Sequence, residues 1–197
     1  MTPSPPTTSK SRTGGLLAVA VLVTVMWVAE VVDAVLGGRL DALGIEPRQV
    51  DGLTGVVLAP FLHADFGHLM ANTVPFLVLG ALIALSGLAR VLAVAAIVTL
   101  VGGLGTWLVA PSATIHLGAS GVVFGFATYL VARGLFDRRV VSLAVGLLVA
   151  LVYGTTLLLG LLPQAGVSWQ GHLFGAVGGL VAARLLAPRQ RRSASSR

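Results

Sequence analysis

Hydrophobic positions along this chain gather into six long runs separated by short polar breaks, at about 14–36, 68–86, 89–110, 118–134, 139–162 and 170–187. Each approaches the ~17–25 residues that an α-helix needs to cross a ~30 Å hydrocarbon core. The pattern therefore predicts an all-α polytopic membrane protein, a bundle of six transmembrane helices. The break between the second and third runs is only Ser86-Gly87-Leu88, with Arg90 close by as an anchor. Residues 1–13 carry three prolines with Ser, Thr, Lys10 and Arg12, and read as a disordered N-terminal tail. Residues 14–187 form the membrane domain, and 188–197 a basic, Ser-rich tail. Between the first two runs, residues 37–67 mix Arg39, Asp41, Glu46, Arg48, Asp51 and Asp65 with Val56-Val57-Leu58 and Phe61-Leu62. Such an amphipathic stretch suits a structure half-sunk in the outer membrane interface.

Composition strengthens this picture. The chain is 56% hydrophobic and 10% charged, with a mean hydropathy of +0.95. Soluble domains are nearer ~25% charged. The formal charge of +6 does not point to nucleic acid, because the basic residues cluster at segment ends, where they set topology. A cytoplasmic N-terminus places 11 of the 13 Lys and Arg residues inside, leaving Arg39 and Arg48 outside, which satisfies the positive-inside rule. Both termini are then cytoplasmic. The run from Leu16 to Ala29, followed by Val32-Asp33-Ala34, resembles a cleavable signal peptide, but the parity of the remaining spans favours a retained first helix. The arginine bias, with Lys10 the one lysine, fits a GC-rich bacterial genome. Without cysteine there is no disulfide framework and no thiolate metal site.

Polar groups inside apolar spans are costly and mark candidate functional sites. Gly118-Ala119-Ser120-Gly121 opens the fourth run, and Gly171-His172 opens the sixth. At roughly 1.5 Å per residue, Ser120 stands roughly 20 Å above Arg133 and His172 roughly 18 Å above Arg184. If the two arginines mark one membrane face, serine and histidine are level, toward the outer side. A serine hydroxyl becomes nucleophilic when a base takes its proton, and His172 is the candidate base. The small glycines around Ser120 let backbone N–H groups near the helix start approach a developing oxyanion. Gly121 and Gly125 on the fourth run face Gly171, Gly175 and Gly179 on the sixth, each set at four-residue spacing that allows close helix packing. His68 and Asn72 lie one turn apart on the second run at the same depth. Asn72 is a candidate oxyanion donor, and His68 a second donor or its orienter. His63 and His116, in outer loops, read as structural or solvated. Glu30 and Asp33 read as partners of Arg39 or Arg48. The scattered histidines form no zinc motif, so no metal or other cofactor is expected.

Together, His68-x-x-x-Asn72, Gly118-x-Ser120-Gly121 and His172-x-x-Gly175-x-x-x-Gly179 resemble the rhomboid family of intramembrane serine proteases. The resemblance implies a six-helix core, a Ser–His dyad without aspartate, and an oxyanion site of the Ser120 N–H, Asn72 and His68. It also implies cleavage of transmembrane helices of other membrane proteins near the outer face of the cell membrane, often after a small residue. Two positions depart from the family pattern: the Trp-Arg pair of the first outer loop is absent, and Phe124 stands where many members have tyrosine. Two other functions are open to such a chain. A non-catalytic client-binding relative typically loses the serine or histidine, and both are present here. A small transporter needs polar groups along the whole path, whereas Leu173 to Ala183 contains none.

Overall fold

The computed structural model of the chain describes residues 9–137 and 139–188. Among the described residues seven α-helices carry the architecture: α1 (Ser9–Leu36), the one-turn α2 (Gly55–Leu58), α3 (Phe66–Ala84), α4 (Leu88–Val109), α5 (Ser120–Asp137), α6 (Val140–Gly160) and α7 (Trp169–Leu185). Short 3-10 turns at Leu40–Leu43, Asp51–Leu53 and Ala59–Phe61 complete the segment between α1 and α3. Helix α1 begins inside the expected tail, at Ser9, and residues 1–8 and 189–197 of the two tails lie outside the described residues.

Local chemistry explains where the helices start and stop. The Asp65 carboxylate accepts the His68 N–H at 2.7 Å and so caps α3. Gly87, at φ 97°, turns the chain directly from α3 into α4. Ser168 caps α7 by accepting the Gly171 N–H. At the end of the bundle opposite Ser120, Arg90 donates to the Leu186 carbonyl at 2.7 Å, satisfying a terminal acceptor of α7. Arg133 joins that end, bonded to Asp137 and to Ser86.

The core runs through Met26 of α1, Phe76, Leu79 and Ile83 of α3, Val94 and Val98 of α4, and Phe126 and Tyr129 of α5. Helices α1, α3, α4 and α6 are long and apolar enough to cross a membrane; α5 and α7 are not, which tempers the reading of six equivalent spans. Helix α7, at 17 residues, is the shorter, and both helices pack through small residues. Helix α7 lies against both α4 and α5: a Cβ on Gly178 would stand 2.9 Å from Val98 Cα, and one on Gly175 would stand 2.7 Å from the Gly121 carbonyl carbon. Where helix meets helix, small residues replace bulky apolar ones and mean hydropathy falls. Helix α6 is the opposite case, burying only Gly146 and Val149 while Leu147, Leu151 and Leu158 face outward. The whole is an all-α bundle built for a membrane.

The segment between α1 and α3 is folded onto the bundle. Val56 is buried against Gly103 of α4. Arg48 donates to the Leu108 and Ala110 carbonyls and to Ser112 Oγ, at 3.1, 2.7 and 2.6 Å. Trp107 returns a bond to the Gln49 carbonyl at 2.8 Å. Arg48 thus fastens the segment to the end of α4. The expected pairing of Glu30 and Asp33 with Arg39 or Arg48 does not form among the described residues. Asp33 instead accepts the Leu40 N–H at 2.5 Å, closing the turn after α1, and Arg48 is engaged by carbonyls.

Candidate active site

Ser120 is the first residue of α5, and His172 lies in the first turn of α7. Their side chains meet: His172 Nε2 is 2.8 Å from Ser120 Oγ. On the other side of the ring, Nδ1 is 2.7 Å from the Gly160 carbonyl at the end of α6. A carbonyl can only accept, so in the neutral imidazole the proton sits on Nδ1 and the bare Nε2 faces the serine hydroxyl. The hydroxyl then donates to Nε2. This is the tautomer that a general base for Ser120 requires. Phe124, one turn along α5, stacks on the imidazole with centroids 4.1 Å apart and planes 9° from parallel. The ring is thereby fixed in plane by stacking and in rotation by the Gly160 bond.

The two helices approach closely through their glycines. A Cβ on Gly125 would lie 2.8 Å from the Gly175 carbonyl oxygen, one on Gly121 3.0 Å from that of Gly171, and one on Gly179 2.9 Å from the Gly125 carbonyl carbon. The Thr128 hydroxyl lies 2.9 Å from the Ala176 carbonyl, adding a polar tie between α5 and α7.

Residues 116–119, which lead into Ser120, are held in three ways. Ile45 and His116 exchange backbone hydrogen bonds at 2.8 and 3.0 Å. The Gly118 N–H donates to the Ala59 carbonyl at 2.8 Å. The Ala119 N–H donates to His63 Nε2 at 3.2 Å. Gly118 sits at φ 115°, where side chains are strained, and a Cβ there would stand 2.7 Å from His68 Cε1. Only glycine meets both conditions.

His68 therefore lies directly against the approach to Ser120, and its ring meets His63 edge-on at 5.1 Å. Asn72 is buried, and one of its amide hydrogens goes to the His68 carbonyl at 3.0 Å. His63 is 1% exposed, and burial, with His68 beside it, pushes its pKa down to about 4. The low pKa favours the neutral ring, whose Nε2 accepts the Ala119 N–H. His116 is half-buried, and burial lowers its pKa as well. A cavity of about 50 Å³ lies beside the serine, lined by Val56, Gly102, Gly103, Thr106, Gly118 and Gly121 among others. It has room for a small side chain or a few waters. Among the described residues no group of His, Asp and Glu is arranged to hold a metal ion.

The family model of the rhomboid domain matches residues 51–189. An uncharacterized protein of Mycobacterium tuberculosis is 46% identical over 203 residues, covering 98% of this chain and 84% of its own length. A Mycobacterium leprae counterpart, also uncharacterized, is 42% identical, covering 91% of this chain and 74% of its own length. A Bacillus subtilis protein named "Putative rhomboid protease YdcA" is 32% identical over 133 residues, 66% of each chain. The matched span contains His68, Asn72, Ser120 and His172 together with the helices that carry them. This chain belongs to the rhomboid family.

Proposed function

We propose that the chain is an intramembrane serine protease that hydrolyses peptide bonds in or near transmembrane helices of other membrane proteins. The reading is carried by one observation: Ser120 Oγ lies 2.8 Å from His172 Nε2, while Nδ1 is anchored on the Gly160 carbonyl. In this mechanism His172 takes the hydroxyl proton as Ser120 Oγ attacks the substrate carbonyl carbon. The tetrahedral oxyanion is stabilised by the Ser120 N–H, at the start of α5 where a helix leaves its first N–H groups without intrahelical partners, and by Asn72 and His68. Collapse expels the amine, which takes the proton from His172 and leaves an acyl group on Ser120. Water, deprotonated by His172, then releases the acid and restores the dyad.

The small cavity beside Ser120 suits a small substrate side chain next to the scissile bond. No cofactor enters the scheme. Six helices span the cell membrane in this proposal, with α5 packed among its neighbours and α7 against α4 and α5. The arginine distribution supports cytoplasmic termini and a site toward the outer face, where the folded segment 37–67 lies in the interface. The test is cleavage of a model transmembrane substrate by the purified protein in lipid vesicles. The wild-type chain should cut it and Ser120→Ala should not, although it stays folded and inserted. Equal turnover by the alanine variant removes Ser120 as nucleophile.

A further inference from the structure

Two of the chain's histidines lie outside the proposed chemistry, and one of them bridges the two halves of the site. The His116 side chain stands four residues before Ser120, and its two ring nitrogens are both engaged. Nε2 is 2.8 Å from Thr114 Oγ1, and Nδ1 is 2.7 Å from Ser168 Oγ. The direction of each bond can be worked out. The Thr114 hydroxyl gives its one proton to the Pro111 carbonyl at 2.6 Å. Its oxygen must therefore accept from His116 Nε2–H. A neutral imidazole with the proton on Nε2 leaves Nδ1 as an acceptor, so Ser168 O–H donates to Nδ1. Burial lowers the His116 pKa, which is the direction that favours this neutral form.

Ser168 is no ordinary partner. Its Oγ accepts the Gly171 N–H at 3.2 Å, and its backbone carbonyl accepts the His172 N–H at 3.0 Å. It holds the first turn of α7, the turn that carries the candidate base. His116, for its part, is paired with Ile45 through both backbone groups and leads into the candidate nucleophile. One continuous chain of bonds thus runs from the turn at Pro111, through His116, to the backbone of His172.

We propose that His116 is a positioning residue that ties the segment entering Ser120 to the N-terminus of α7, so that nucleophile and base keep their distance. The proposal rests on the protease reading of the site. Among the described residues the His116 side chain bonds to Thr114 and Ser168 and to neither reacting group, so it acts through Ser168. The Ser120–His172 pair sits where two separate chain segments happen to meet, 52 residues apart. A bond at the rim of each segment limits their relative sliding, and a misplacement of ~1 Å at such a site can reduce rate by ~10²-fold.

The test uses the full chain in detergent micelles with two readouts: backbone hydrogen exchange over residues 169–173, and the rate at which a fluorophosphonate labels Ser120. His116→Phe keeps a ring of similar size and removes both bonds. It should raise exchange in the first turn of α7 and slow labelling about 10-fold, within the range allowed for a misplaced base. His116→Asn, whose amide oxygen falls near the position of Nδ1, should restore most of both. The double variant His116→Phe/Ser168→Ala should behave like Ser168→Ala alone, because the histidine acts only through that serine. Unchanged exchange in His116→Phe, or multiplicative losses in the double variant, would overturn the tie and leave the protease reading standing. A parent chain that does not label at Ser120 would overturn the protease reading and the positioning role together, whatever the exchange shows.

Discussion

Replacing Gly175 by alanine adds one methyl group at the place where α7 crosses α5. That methyl would sit 2.7 Å from the Gly121 carbonyl carbon and 3.0 Å from its Cα, and closer still to the carbonyl oxygen. Carbon atoms pack at about 3.5–4.0 Å, and the obstacle is backbone, which cannot swing aside. The helices must separate by about 1 Å. His172 stands three residues from Gly175 on the same helix, so its 2.8 Å bond to Ser120 lengthens toward ~3.8 Å, beyond hydrogen-bond range. Loss of alignment on that scale lowers turnover by ~10²-fold. Overpacking costs about 1–3 kcal/mol, partly offset by the ~1 kcal/mol helix preference of alanine over glycine. Gly154→Ala supplies the control: it also adds a methyl in mid-helix, on α6, but meets nothing within 4 Å. Substrate cleavage and melting temperature would be measured for both variants in one detergent. Gly175→Ala should be nearly inactive and less stable, and Gly154→Ala active and equally or more stable. If the two variants behave alike, helix contact at Gly175 does not set the dyad geometry.

Three other outcomes follow from the same structure. Asn72→Ala should lower kcat by ~10²–10³ with little change in KM if its amide donates to the oxyanion; a lowered melting temperature with near-normal kcat would make it purely structural. Gly118→Ala should slow Ser120 labelling sharply, because the new methyl meets both a positive φ and the His68 ring; an unaffected variant would show that this loop does not aim the serine. His63, lowered to about 4 in the fold and near ~6.5 when unfolded, takes up its proton first in the unfolded chain. Stability should therefore be full above pH ~6.5 and fall as the pH drops toward 4, with a shallower fall in His63→Gln; identical pH profiles for the two chains would refute this.

The parts of the fold that face lipid are the parts the sequence makes readable. Helices α1, α3, α4 and α6 must present apolar side chains all along their length, so hydropathy alone finds them. Helices α5 and α7 are instead marked by their glycines, because one face of each packs on protein rather than lipid. The height match between Ser120 and His172 could be counted from flanking arginines, since a helix converts residue number into depth. Contacts made by loops have no such ruler. The Asp33 carboxylate turns to a backbone N–H seven residues on instead of to an arginine, since a turn that leaves its own amides unpaired draws the nearest acceptor. Arg48 is spent on three acceptors around the end of α4, about 60 residues away in sequence. His63 and His116 show the same limit. Their roles depend on Ala119 and Ser168, each more than 50 residues distant, and nothing in their local spacing signals it. Phe124 is a milder case: stacking on His172 needs only a flat ring at that position, so it continues without the hydroxyl.

The proposed chemistry requires that Ser120 be a nucleophile activated by His172. A fluorophosphonate reacts with a serine hydroxyl only when a base draws off its proton, and it needs no knowledge of the natural substrate. The purified chain would be labelled in detergent, digested, and the modified residue located by mass spectrometry. A single adduct should form on Ser120 at neutral pH and disappear in His172→Ala with the protein still folded. Labelling on another serine, or labelling of Ser120 at an unchanged rate in His172→Ala, would contradict it.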